Sequence, residues 1–347
     1  MYVISQDKIQ RLVSLTGKAS RIAIVTHTRP DGDAIGSSVA LMHFLSDVLG
    51  KECSMAIATP CPDALRFVFG PDDGPDKVFL HKERPDETAR MIAGCDLLFC
   101  LDCSSVSRTG DMQAAVEASP AVKILIDHHL TPETGPFELV FSETEISSTC
   151  ELLYYILTEL PEVNGDCSRL PESTLRALMT GMTTDTNNFA NSVFPGTLAM
   201  ASALLAAGVD RDEILQHLFN EYRENRIRLL GFLLFEKLRI RSNGVAYMIL
   251  DKKTKERFDV QEAETEGFVN IPLAVKEIKF SLFVTEEDDK FRVSIRSKHG
   301  YSANRMAGEH FHGGGHEQAA GGKILAGEDI ADHGEVEAYI LKATENY

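Results

Sequence analysis

Residues 21–38 read RIAIVTHTRPDGDAIGSS. The opening run is short, apolar and β-branched, the composition of a strand buried on both faces of a parallel α/β sheet. Directly after it His27, Asp31 and Asp33 fall within seven residues, in the spacing H-x₃-D-x-D. Neutral imidazole and carboxylate oxygen suit Mn²⁺ and related divalent ions, and Gly32 and Gly36 are expected to let the backbone bend closely around such ligands. The same stretch also reads as a strand-to-helix turn capped by Asp33.

Outward from it, the runs 54–59 (SMAIAT), 97–102 (LLFCLD) and 123–129 (KILIDHH) are separated by helix-length segments. That alternation predicts an α/β fold with a parallel sheet. Three of the four runs end in ligand-type residues: His27 leading to Asp31, then Asp102, then Asp127-His128-His129. Carboxyl ends of parallel strands are where open α/β sheets place their ligand crevice, so these side chains are expected to converge. Asp185, in GMTTDT (181–186), follows a further apolar segment. This is the inventory a dinuclear site needs, a bridging carboxylate with His and Asp on each ion. Vicinal histidines after a buried strand suit one ligand and one substrate contact, because two unpaired buried imidazoles are costly; one of them lying at the surface is the other reading.

From 195 to about 239 the apolar residues take helical spacing: Leu198, Ala201, Leu204, Leu205, then Ile227, Leu230, Leu233, Leu234, Leu238. After Asn243-Gly244 the pattern returns to strands, at 245–250, 280–285 and 291–295, the last two joined by the acidic turn EEDDK. The expected organisation is a catalytic domain at 1–194, a helical connector at 195–239 and a smaller mixed-sheet α/β domain at 240–347. In the last of these, Arg296 at a strand end offers a bidentate phosphate clamp. The glycine-rich turn 313–321 offers backbone N–H groups to an anion. The histidines of HFHGGGH (310–316) have no carboxylate or cysteine at ligand spacing; phosphate binding by His316, a packed turn and a metal cluster are the readings open there.

A net charge of −17 over 347 residues opposes tracking of long nucleic acids, whose affinity comes from neutralising several phosphates, but leaves room for a small anionic substrate in a locally positive pocket. No run reaches the roughly 18–20 apolar residues a bilayer requires, and the first residues lack a signal-peptide pattern; a cytoplasmic protein with no membrane partner is expected. Seven cysteines suit a reducing compartment. Cys95, Cys100 and Cys103 reproduce an iron–sulfur spacing, but no fourth cysteine is suitably placed. Gln318 stands at the third glycine position of a dinucleotide fingerprint, against that reading of 313–321.

The Asp-His-His triplet with these partners resembles the DHH family of phosphoesterases. The sequence GGGHEQAAG (313–321) resembles the signature of that family's C-terminal DHHA1-type domain, and SIRS (294–297) its substrate-binding strand. The resemblance implies two divalent ions, Mn²⁺ foremost with Mg²⁺ or Co²⁺ as alternatives. It implies His27 and Asp31 on one metal, Asp33, His128 and Asp185 on the other, and Asp102 bridging them. His129 would contact the scissile phosphate, Asp127 would orient an imidazole, and Arg108 would serve as a substrate or structural contact. Arg296, Ser297, His316, Gly314 and Gly315 would bind substrate. Among the family's branches the compact one, nano-RNases that also dephosphorylate adenosine 3′,5′-bisphosphate, suits this length and the Gly-Gly-Gly-His ending. Its substrates would be short oligonucleotides or nucleotide bisphosphates, and a homodimer is compatible with it. An exopolyphosphatase-like enzyme, a phosphodiesterase for products of cyclic dinucleotides, and a non-catalytic nucleotide sensor are the rival readings; a complete ligand set argues against the last.

Overall fold

Along residues 97–101, Leu97, Phe99 and Leu101 bury on one side of the backbone and Leu98 and Cys100 on the other. Side chains of a strand alternate between faces, so such a run needs cover on both. The structure, a computed structural model, describes residues 4–261 and 264–347 and supplies that cover. The chain forms two compact units that divide between Glu221 and Tyr222.

The first unit runs α1 (Gln6–Lys18), β1 (Arg21–Thr26), α2 (Gly32–His43), β2 (Glu52–Ile57), β3 (Val78–Leu80), α3 (Pro85–Ala93), β4 (Leu97–Leu101), α4 (Gln113–Ala118), β5 (Val122–Asp127), β6 (Leu139–Ser142), α5 (Thr149–Glu159), α6 (Glu172–Asp185), α7 (Pro195–Ala206) and α8 (Arg211–Phe219). Its six strands are parallel, in the order β3-β2-β1-β4-β5-β6. On one face Ile24, Phe99 and Ile126 pack with Leu12 of α1, Ile35 of α2 and Leu153 of α5; on the other Val25, Leu98 and Leu125 pack with Ile92 of α3 and Val116 of α4. The edge strands β3 and β6 were not visible as apolar runs. They are short and partly exposed, as edges usually are.

The second unit runs α9 (Glu224–Phe232), β7 (Arg239–Ile240), β8 (Val245–Leu250), α10 (Lys252–Arg257), β9 (Phe280–Glu286), β10 (Lys290–Ser297), α11 (Ala303–His310), β11 (Gly314–Gly315), β12 (Ala319–Leu325) and α12 (Val336–Ala343). The sheet order is β11-β12-β10-β9-β8-β7, with β8 and β9 parallel and the other pairs antiparallel. One face buries Val293, Ile295 and Ile324 against Met306 of α11 and Ile340 of α12. On the other, Leu229, Leu233 and Phe268 cover Met248, Leu250 and Phe283.

Two local expectations change. The helices at 195–239 do not stand apart as a connector: Met200, Leu204, Ile214 and Leu218 are buried in the first unit's core, Leu229 and Leu233 in the second's. The stretch 313–321 is not an open turn but belongs largely to β11 and β12. Glycine has weak strand preference; pairing with β10 holds it there. Among the described residues no helix is long and apolar enough to cross a membrane.

Candidate metal centre and catalytic site

The strand order reverses at β1: β2 lies on one side of it and β4 on the other. Loops leaving the carboxyl ends of two such strands diverge and open a crevice between them. His27 immediately follows β1, Asp102 follows β4, and Asp127-His128-His129 ends and follows β5. Asp31 caps α2, its carboxylate accepting from the N–H groups of Asp33 and Ala34; the cap is therefore Asp31, not Asp33. Asp33 is the second residue of α2, and its carboxylate accepts from the N–H groups of Thr149 (2.6 Å) and Cys150 (2.8 Å) at the start of α5.

Gly32 and Gly36 do not bend the chain around the ligands, as the sequence suggested, but lie within α2 and let α6 approach. A Cβ on Gly32 would stand 2.2 Å from Thr184 Oγ1, and one on Gly36 would stand 2.6 Å from the Ala177 carbonyl. Gly181 of α6 answers them, since a Cβ there would meet Cys150 Sγ at 2.2 Å. This close packing brings Asp185, the last residue of α6, to the crevice.

Asp102 is the centre of the cluster. Its Oδ2 lies 3.5 Å from His27 Nε2, and its Oδ1 lies 3.6 Å from His128 Nε2. His27 Nε2 is also 3.8 Å from Asp31, and His128 Nε2 is 3.7 Å from Asp33 and 3.4 Å from Asp185. His27, Asp31 and Asp102 present ligand atoms within one metal-sized space, and Asp33, Asp102 and His128 within another. His27 Nδ1 donates to the Thr28 carbonyl at 2.8 Å, which leaves Nε2 as the nitrogen that faces the carboxylates. Asp102 adopts a positive φ of 52°, an uncommon conformation for a residue with a Cβ and one that marks functional positions.

Protonation reports the charge imbalance here. Burial alone would lower His27, but hydrogen bonds and charge from Asp102 and Asp31 outweigh it and push the imidazole up to about 10. Burial and the charges of Asp102 and Asp31 hold Asp33 well above the usual carboxylate range. Asp102 is the reverse case: burial opposes its ionisation, yet His27, His129 and His128 carry it well below that range. Burial, in spite of the nearby carboxylates, lowers His128. Closely spaced carboxylates set among imidazole nitrogens form a donor set that divalent cations fit.

His129 also borders the cluster, its Nδ1 lying 3.5 Å from Asp102 Oδ1. Its Nδ1 donates to Asp127 Oδ1 at 2.8 Å, and Arg108 Nη1 donates to its Nε2 at 3.1 Å. Asp127 is fully buried and also accepts from the His129 N–H. In the second unit Arg296 and His316 are partly buried, and the Ser297 hydroxyl donates to the Tyr301 carbonyl at 2.6 Å. The Gly315 N–H is taken by Asn304 Oδ1 at 2.8 Å, whereas Gly314 is exposed on the edge strand.

Sequence reasoning missed the turn 147–151. Thr149 donates its N–H to Asp33 and its hydroxyl to Asp102 Oδ1 at 3.0 Å. The turn is held in place by Glu151, 1% exposed, which accepts from the Ser147 N–H (3.0 Å), the Ser147 hydroxyl and the Thr197 hydroxyl (2.7 Å). The sequence carried no signal for this role beyond the helix start Ser147-Ser148-Thr149 itself.

The chain belongs to the DHH family: residues 21–182 match the DHH family N-terminal domain and residues 243–336 the DHHA1 domain. It is a phosphoesterase. It is 31% identical over 331 residues to the bifunctional oligoribonuclease and PAP phosphatase NrnA of Thermus thermophilus, covering 92% of this chain and 89% of that one. It is 28% identical over 313 residues to the protein of that name from Bacillus subtilis, covering 89% and 90%. A solved structure of an exopolyphosphatase-related protein from Bacteroides fragilis superposes with a TM-score of 0.89 at 34% identity, covering 100% of this chain and 98% of that one.

Proposed function

We propose that the chain is a two-metal enzyme that hydrolyses short oligonucleotides and removes a phosphate from adenosine 3′,5′-bisphosphate. The observation that carries this reading is Asp102, whose two carboxylate oxygens face different imidazoles, each with its own carboxylate partners. In this reading His27, Asp31 and Asp102 hold one divalent ion, and Asp33, Asp102, His128 and Asp185 the other. Bound there, the ions polarise the phosphoryl group and lower the pKa of water. Asp127 fixes the His129 ring, so that Nε2 is the nitrogen offered to substrate. Arg108, which donates to that nitrogen, has further guanidinium donors to offer a phosphoryl oxygen, a partner it matches well. Arg296, Ser297, His316, Gly314 and Gly315 hold a second phosphate or terminal group and so select short substrates. The names of the relatives from Thermus thermophilus and Bacillus subtilis support these substrates.

The likeness to an exopolyphosphatase-related protein favours polyphosphate as a second reading. Turnover of adenosine 3′,5′-bisphosphate, a dinucleotide, a linear product of a cyclic dinucleotide and polyphosphate, each with Mn²⁺ and Mg²⁺, decides between them. Release of phosphate from polyphosphate alone would transfer the assignment to the second reading; no metal-dependent turnover of any would remove both.

A further inference from the structure

Asp185 offers its carboxylate to the crevice from the last residue of α6. That is an insecure place for a metal ligand, because helix ends fray and their last carbonyls have no partners within the helix. Here those carbonyls are met. The Met182 carbonyl accepts from the Thr186 N–H (3.1 Å) and hydroxyl (2.8 Å), the Thr184 carbonyl from the Asn187 N–H (3.0 Å) and the Thr183 carbonyl from the Asn188 N–H (2.8 Å). The chain then folds back on Thr186, which is fully buried. The Thr186 hydroxyl accepts from the Phe189 N–H at 3.0 Å, and its carbonyl accepts from the N–H groups of Ala190 and Asn191.

This cap is built on unfavourable backbone. Asn187, Asn188 and Phe189 have φ of 47°, 57° and 65°, three successive residues in the left-handed region that side chains normally enter singly. Asparagine tolerates that region; a bulky phenylalanine there is an outlier. Such strain lasts only where the surroundings enforce it. Packing of Phe189 on the edge of the first unit's core is one part of that enforcement. Arg211, the first residue of α8, is the other. Its Nη2 donates to Asn188 Oδ1, and its guanidinium carbon lies 5.4 Å from the centre of the Phe189 ring, within range of a cation–π contact. The start of a helix favours anions, and α8 has Asp210 as its cap with Asp212 and Glu213 in its first turn; Arg211 reaches across to the turn after α6 instead. It does so with Nε buried and without a hydrogen-bond partner among the described residues.

We propose that Arg211 is a positioning residue for the metal centre: by clamping the left-handed turn 187–189 it fixes the end of α6, and so holds the Asp185 carboxylate toward the divalent ion that Asp33, Asp102 and His128 share. The proposal rests on the two-metal reading above and extends it to a residue of α8 that no ligand touches. Without the clamp the strained turn relaxes, the last carbonyls of α6 lose their donors, and Asp185 is left on a fraying end.

The test is calorimetric titration with Mn²⁺ of the metal-free wild-type chain, Arg211→Ala, Arg211→Lys, Asp185→Asn, and each Arg211 variant combined with Asp185→Asn. Hydrogen–deuterium exchange over 182–191 and thermal melting of the metal-free proteins accompany it. Arg211→Ala should weaken one of the two ions by about tenfold or more, and Asp185→Asn should weaken the same ion. In the Asp185→Asn background Arg211→Ala should add less than about twofold, as expected when one residue acts through the other. Arg211→Lys keeps the charge but not the planar donors and should fall between wild type and Arg211→Ala. Exchange at the Asn187, Asn188 and Ala190 amides should quicken in Arg211→Ala while that of β1 and β4 does not. Unchanged Mn²⁺ affinity in Arg211→Ala, or an equal loss with and without the Asp185 carboxylate, would overturn the proposal. If Arg211→Ala does not fold, Arg211→Lys carries the same comparison. If the wild type binds no Mn²⁺, or Asp185→Asn binds both ions as tightly as wild type, the assignment of Asp185 to a metal falls. Exchange alone then decides the clamp: local quickening sustains it, and unchanged exchange overturns it.

Discussion

The hydroxyl of Thr149 donates to Asp102 Oδ1 at 3.0 Å, inside a site where the same residue's N–H holds Asp33. One residue at the start of α5 thereby orients carboxylates from two different loops. Groups that orient metal ligands typically matter by about 10- to 100-fold in metal affinity or activity. Thr149→Val, which keeps the shape and the N–H but loses the hydroxyl, should weaken metal binding and activity in that range, while Thr149→Ser should retain most of both. Calorimetric metal titration of the two variants checks this; equal behaviour would assign Thr149 to packing alone.

Asp102→Ala should be the most damaging single change to metal binding, because both oxygens of the carboxylate are engaged. Elemental analysis of Mn²⁺-loaded protein should find both ions lost, whereas His27→Ala should lose chiefly one. An Asp102→Ala protein with full metal content would end the bridging assignment.

Mn²⁺ should support higher turnover than Mg²⁺ at saturating metal. Two imidazoles among the candidate ligands suit the softer ion, and Mg²⁺ prefers oxygen ligands and retained water. Equal or faster turnover with Mg²⁺ would count against this.

Arg296→Lys and His316→Ala should each lower kcat/KM on a dinucleotide by about ten- to a hundredfold, as expected for one charge-assisted contact of about 1.5–3 kcal/mol. A nitrophenyl phosphodiester, lacking the distal group, should be far less affected. Equal losses on the two substrates would move these residues into the reaction centre.

Far from the site, at the other end of α2, His43 donates to Asp73 at 2.9 Å and faces Asp47 at 3.1 Å, with Lys77 3.9 Å from Asp73. The hydrogen bond to Asp73 raises His43 against the opposing effect of burial. A folded-state value above the ordinary 6.5 means that the stabilisation is complete below about 6.5 and is lost as pH rises through the folded value. The difference in melting temperature between the wild-type protein and His43→Gln should therefore shrink as pH rises from about 6 to about 9. A gap that stays constant across that range would show that the pair contributes through packing rather than charge.

Strand runs buried on both faces made the parallel sheet legible from sequence, because covering two faces demands continuous apolar residues at positions such as 97–101. The ligand-type residues were legible for a related reason: His27, Asp102 and Asp127 end or directly follow those runs, and strand ends are where a parallel sheet gathers its chemistry. Local sequence could not show which carboxylate caps α2, because Asp31 and Asp33 are both suitable caps; α5 decides it by drawing the Asp33 carboxylate to its own N–H groups. Nor could it show that Gly32, Gly36 and Gly181 serve helix contact, or that Thr149 and Glu151 support the site, since those roles exist only once α2, α5 and α6 meet. The strand character of 319–325 likewise came from pairing with β10 against the preference of its glycines. Patterning along the chain determined which surfaces must be buried and where reactive side chains would emerge. Long-range packing decided which of them face one another, because hydrogen bonds and close approaches between distant segments leave no periodic trace in the sequence.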